Sequence, residues 1–147
     1  MLKIGCIILG LWSLLNLIAS LVVVLIPVIL LGENAPAVLE SISERDINRV
    51  DSNIVNNANA IAVFANGVNV AFGMLSLSAI WCGLFQKIKW VFWALFSSLT
   101  AMWLTGIAAD FVVGIRHPEV NIASGLILAT GLICSAIAIF RQDKVCN

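Results

Sequence analysis

From Asn59 to Gly83 the chain alternates bulky apolar residues with small or polar ones at a helical step. Asn59, Asn66 and Gly73 form one seven-residue series, and Ala62, Asn69, Ser76 and Gly83 form a second. Ile80 is the one large residue in that register. At about 100° per residue these positions make one stripe, roughly a third of the circumference wide. Ile61, Phe64, Val68, Val70, Phe72, Leu75 and Trp81 flank it, and a weaker small stripe of Ala60, Gly67, Ala71 and Ser78 runs up the far side. In water such a helix would be inside out. In lipid, small residues let backbones approach and Asn or Ser bonds across the contact, so the pattern predicts a packed transmembrane helix.

Three more runs carry similar seams. Cys6, Gly10, Ser13, Asn16 and Ser20 share a face in the first, with Pro27 in register. Ala94, Ser97, Ser98, Ala101, Thr105, Ala108 and Ala109 do so in the third, and Asn121, Ser124, Gly131, Ser135 and Ala138 in the fourth, interrupted by Leu128. The uncharged stretches are Ile4 to Gly32, Ser52 to Gln86, Trp90 to Ala109 and Val120 to Phe140. Each reaches the roughly 20 residues that a helix needs to cross about 30 Å of hydrocarbon. The expected spans are 4–31, 58–85, 90–113 and 120–140. Short turns make neighbours antiparallel. The expected fold is therefore an all-α membrane protein, a four-helix antiparallel bundle, with residues 1–147 as a single integral domain.

The first apolar run is too long for a signal-peptide core and continues past Ile18-Ala19-Ser20, so an uncleaved span is expected. Pro27 should kink or loosen its outer end. Residues 33–57 form the one long loop. Pro36 suits a first helical turn, and Ser41 with Glu44 matches a capping box. Val38, Leu39, Ile42, Ile47, Val50 and Ile54 cover about half a helix circumference, which predicts a short amphipathic helical segment at the outer interface.

Composition narrows the class. Of 147 residues, 61% are hydrophobic and 11% charged, against roughly 25% charged in a soluble domain. The formal net charge is zero, so nucleic acid has no electrostatic footing here. The charges are nonetheless sorted. Lys3, Lys87, Lys89, Arg141 and Lys144 fall on one side of a four-span chain, opposed there by Asp143 alone. The other side has Arg45, Arg49 and Arg116 among Glu33, Glu40, Glu44, Asp46, Asp51 and Glu119. Lys and Arg near short loops mark the cytoplasmic side, so both termini are expected in the cytoplasm of a cell membrane, on the pattern of a bacterial inner membrane. Trp81, Trp90 and Trp93 cluster at that boundary as an aromatic belt.

Chemistry is sparse. Cys6, Cys82, Cys134 and Cys146 are scattered, without CxxC, and His117 is the one histidine; no catalytic, cofactor or metal set is expected from them. Asp110 is the one ionisable residue near a span's interior. It follows Lys89 by about 31 Å of helix, at the outer boundary. An interface acid is the plain reading, and a cation or proton site the sharper one. The candidate polar seam is Asn16, Ser20, Asn66, Asn69 and Ser76. Asn16 and Asn69 are offset by roughly 6 Å along the axis, within reach of tilt and side-chain length, with Ser20 and Asn66 the next pair outward.

No motif is specific enough to carry a family name. The expected role is structural, accessory or interactive, in contact with the lipid bilayer and with other membrane subunits or a second copy, and not enzymatic. The alternative is a small-solute transporter or channel component working as an oligomer, with the Asn-rich seam lining its path.

Overall fold

Each uncharged run folds as one helix. The computed structural model describes residues 1–36, 51–113 and 118–141, with backbone alone at 109–113 and 118. Among these residues the regular structure is all helical. Four helices are long and apolar enough to cross a membrane: α1 Leu2–Leu30, α2 Ser52–Leu84, α3 Lys89–Val113 and α4 Pro118–Phe140. At 29 and 33 residues, α1 and α2 are roughly 44 and 50 Å long, more than a hydrocarbon core requires. The amphipathic segment expected in the loop falls on 37–50, outside the described residues, as do Arg116, His117 and the tail from Gln142.

Local chemistry sets the helix ends. α2 begins at Ser52 rather than near 58, because Asp51 caps it: its Oδ1 accepts the Asn53 N–H at 2.9 Å. A side-chain oxygen on an otherwise orphan N–H stabilises such an end by about 1 kcal/mol. α2 and α3 are joined by a turn in which Lys87 takes φ 63°. The Ile88 N–H reaches Gly83 O at 3.1 Å and the Lys87 N–H reaches Leu84 O at 2.9 Å. That is the Schellman pattern, which satisfies two terminal carbonyls and is usually built on glycine.

Pro27 acts one turn earlier than its own position. Its ring would crowd the Val23 carbonyl, and it has no N–H to offer. α1 widens into a π-helical turn over Ser20–Leu25, with the Ile26 N–H reaching back to Leu21 O, and then resumes its α-helical path. Past its end, the Leu31 and Glu33 N–H groups both fall on Pro27 O, at 3.2 and 3.1 Å. A second wide turn, Ile80–Leu84, ends α2.

The chain divides into two compact units, Met1–Leu14 with Leu75–Asn147, and Leu15–Met74. In the first, α4 is the central element. The start of α1 runs antiparallel to it, with Gly5 against Ser135 and Leu9 against Gly131. α3 is antiparallel to it as well, with Phe92 near Phe140 at 5.6 Å and Trp103 near Asn121 at the other end. A methyl group on Gly5 would overlap Ser135 Oγ and come within 2.8 Å of Ser135 N. One on Gly131 would come within 2.8 Å of Leu9 Cδ2. Gly131 and Ser135 belong to the expected stripe of α4. On α1, however, the approach is made by Gly5, beside the expected stripe, while Gly10 on that stripe has nothing within 4 Å of an added carbon.

α3 departs from the expected pattern. Ala94, Ser97, Ala101, Thr105 and Ala108 are exposed, and the buried face is Val91, Phe92, Leu95 and Leu99. Its hydroxyls are satisfied at home: Ser97 and Ser98 donate to Ala94 O at 3.1 and 2.6 Å, and Thr105 to Met102 O at 2.8 Å. A serine bonded to its own helix does not need a partner helix. The bulky face packs inward instead.

In the second unit the loop after α1 is fixed onto α2. Asn59 Oδ1 accepts the N–H of buried Ala35 at 2.9 Å, and its Nδ2 donates to Asn34 Oδ1 at 2.8 Å.

The glycines give a paired test. Gly5→Ala should destabilise the protein in a detergent unfolding titration by about 1–3 kcal/mol through overpacking. Gly10→Ala, where nothing lies within 4 Å of the added carbon, should be neutral or stabilise by up to about 1 kcal/mol. The opposite order would mean that α1 and α4 do not approach through Gly5.

Candidate functional site

The candidate polar residues are split between the two units. Asn16, Ser20, Asn66 and Asn69 belong to Leu15–Met74, and Ser76 belongs to the other. Ser20 and Ser76 are buried, while Asn16, Asn66 and Asn69 are half-buried. Asn66 turns its amide onto its own helix, donating to Ala62 O at 2.9 Å. Asn16 is engaged within the chain. The side chain of Asp110 lies outside the described residues, in the last turns of α3. Asn59, the first member of the stripe, is committed to the Asn34–Ala35 loop.

A second polar arrangement lies along the first half of α4. Trp12, 4% exposed, donates its indole N–H to Ser124 Oγ at 2.9 Å. Trp103 donates to the Asn121 carbonyl at 3.1 Å. The Trp103 ring lies flush on Gly125, whose missing side chain makes the room: an added carbon would overlap Cζ2 and come within 2.7 Å of Cε2. Two indoles from two different helices thus grip positions 121, 124 and 125, within little more than one turn of α4. A buried indole is a large apolar body with one donor that must be placed, and here each donor has its acceptor.

Two hydroxyls have none. Ser13 Oγ and Ser135 Oγ are buried without a hydrogen-bond partner. Ser135 faces Gly5, where a small side chain is needed. Size accounts for a serine there, and its hydroxyl contributes no bond.

Among the described residues no group of three or more His, Cys, Asp or Glu side chains is placed to hold a metal ion. Cys6 is buried, Cys134 half-buried and Cys82 exposed, and all three are free thiols. What the arrangement does chemically is join helices: indole to hydroxyl, indole to carbonyl, amide to loop. Comparison with family models, with curated proteins and with solved structures finds no match for this chain.

Two serines of α4 separate a working hydroxyl from an idle one. Ser124→Ala strands the buried Trp12 N–H and should cost about 1–3 kcal/mol. Ser135→Ala removes an oxygen that has no bond and should cost close to nothing, or stabilise. A chemical-denaturation series in one detergent measures both. Equal losses would contradict the assignment.

Proposed function

We propose that the chain is a single integral domain of the cell membrane, a four-helix antiparallel bundle whose role is structural or accessory rather than catalytic. Both termini and the 86–89 turn lie in the cytoplasm, with 33–57 and 115–119 outside. The sorting of Lys3, Lys87, Lys89, Arg141 and Lys144 supports that orientation.

One observation carries the functional reading: several polar side chains of the helices bond within the chain. Ser97, Ser98, Thr105, Thr130 and Asn66 bond carbonyls of their own helices. Ser124 receives Trp12, and Asn59 holds the loop. A solute path needs polar groups turned toward the solute, and these are turned toward the backbone or toward neighbouring side chains. The exposed face of α3, Ala94, Ser97, Ala101, Thr105 and Ala108, has the size pattern against which a second transmembrane helix packs closely. Partner subunits, or a second copy, would meet the bundle there.

The test has two arms on the full chain. After gentle detergent extraction the protein should co-purify with another membrane protein at fixed stoichiometry. Reconstituted alone in vesicles, it should pass no small solute, before or after Asn69→Ala. A robust flux from the pure protein, abolished by Asn69→Ala while the fold survives, would overturn the accessory role in favour of an oligomeric transporter.

A further inference from the structure

One end of the first unit has a composition that the packing alone does not call for. Because α1 and α3 both run antiparallel to α4, the start of α1, the α2–α3 turn, the start of α3 and the end of α4 meet at the same end. Exposed Lys3, Lys87, Lys89 and Arg141 are gathered there. Of the acidic residues of this unit, Asp110 and Glu119 lie in the last turns of α3 and the first turn of α4, at the opposite end. Asp143, two residues after Arg141, lies outside the described residues. Below the cations sit exposed tryptophans: Trp81 is 75% exposed, Trp90 70% and Trp93 56%.

Part of this surface is built rather than scattered. Trp93 follows Lys89 by one turn of α3, on the same face. Its ring stands 5.9 Å from Phe140 and 5.8 Å from Phe96, edge-on to the latter. Phe92, buried beneath, meets both Trp93 and Phe140 near right angles, at 5.4 and 5.6 Å. Arg141 is the next residue after Phe140. An aromatic cluster therefore connects two helices at the end where the cations gather, with Lys89 one turn before Trp93 on α3 and Arg141 next in sequence to Phe140 on α4. The cations are at the end of the unit and the rings extend along the helices.

We propose that this cluster binds an anionic phospholipid of the adjacent leaflet, its phosphate held by Lys89 and Arg141 and its acyl chains lying on Trp93 and Phe96. The inference rests on the membrane reading given above and makes it specific. A zwitterionic headgroup brings its own cation to the same place and gains less from two positive side chains. A soluble phosphate satisfies the charges but leaves the rings uncovered, so it is not the occupant. Each juxtamembrane Lys or Arg contributes roughly a fivefold preference for an anionic lipid.

The experiment uses the full chain in phosphatidylcholine vesicles, with tryptophan fluorescence quenched by dibrominated lipids. Before quenching, the vesicles are washed at alkaline pH and floated. Dibrominated phosphatidylglycerol should bind at least about fivefold more tightly than dibrominated phosphatidylcholine. The ratio should fall toward one in K89Q/R141Q and stay largely intact in K3Q/K87Q, which leaves Lys89 and Arg141 in place. Glycerol phosphate in solution should not displace the brominated lipid. Loss of the protein from the washed vesicles would overturn the membrane reading and this inference with it. Retention with a ratio near one in the native chain, or an equal fall in both double variants, would overturn this inference alone.

Discussion

The closeness of α1 to α4 is the constraint on which the best-packed part of the molecule depends. Two helices normally keep 8–10 Å between axes because side chains stand between them. Gly5 and Gly131 remove that spacer, and Ser135 and Leu9 occupy the room made. Once the backbones are this near, other features follow. Ser135 has to be small, which is why its hydroxyl sits buried without a partner. Trp12, further along α1, lies close enough for its indole to reach Ser124 across the contact. In an apolar surrounding, where burial of apolar area no longer drives helices together, such close contact and a few hydrogen bonds are the forces that remain.

Helix ends and irregular turns leave backbone N–H and C=O groups without helical partners. The chain answers at each irregularity. Asp51 caps α2, Lys87 accepts a left-handed conformation to close the α2–α3 turn, and the wide turn at Ser20–Leu25 makes room ahead of Pro27. Asn59 supplies an acceptor to the buried Ala35 N–H. These residues are polar for the backbone's sake, which is why polarity along the helices is a poor guide to a ligand site here.

That distinction explains what the sequence could and could not convey. The four long helices were legible because the uncharged runs leave no other use for so many apolar residues. The small faces of α1, α2 and α4 were legible in part: Cys6, Ser13, Ser20, Gly73, Ser76, Gly83, Gly131 and Ser135 are buried. Gly10, Asn16, Asn66, Asn69, Asn121 and Ser124 are half-buried, and Gly5, outside the expected stripe, makes the close contact. Even Ile80 and Leu128, which break the small-residue spacing, are buried on those faces and so belong to them. α3 was misread because spacing alone does not reveal whether a serine bonds a neighbour or its own helix. Trp12 and Trp103 do not stand out in the sequence, because tryptophan is expected at headgroup depth. The signal was available in their position, well inside an apolar run, where an indole N–H has to find an acceptor within the protein. Asp51 immediately before Ser52 and Asn53 was likewise a readable cap, obscured by the asparagines that follow it.

The central claim, that α1 and α4 interlock at Leu9 and Gly131, is tested most directly by a double-mutant cycle at those two positions. Gly131→Ala alone should destabilise by about 1–3 kcal/mol, because the new methyl group meets the Leu9 side chain. Leu9→Ala alone should cost about 2–5 kcal/mol through the cavity it leaves. In the Leu9→Ala background, Gly131→Ala fills part of that cavity and should become neutral or stabilising, a coupling well above about 0.5 kcal/mol. Additive losses in the double variant would contradict the account, since they would mean that the two side-chain positions do not share the same space.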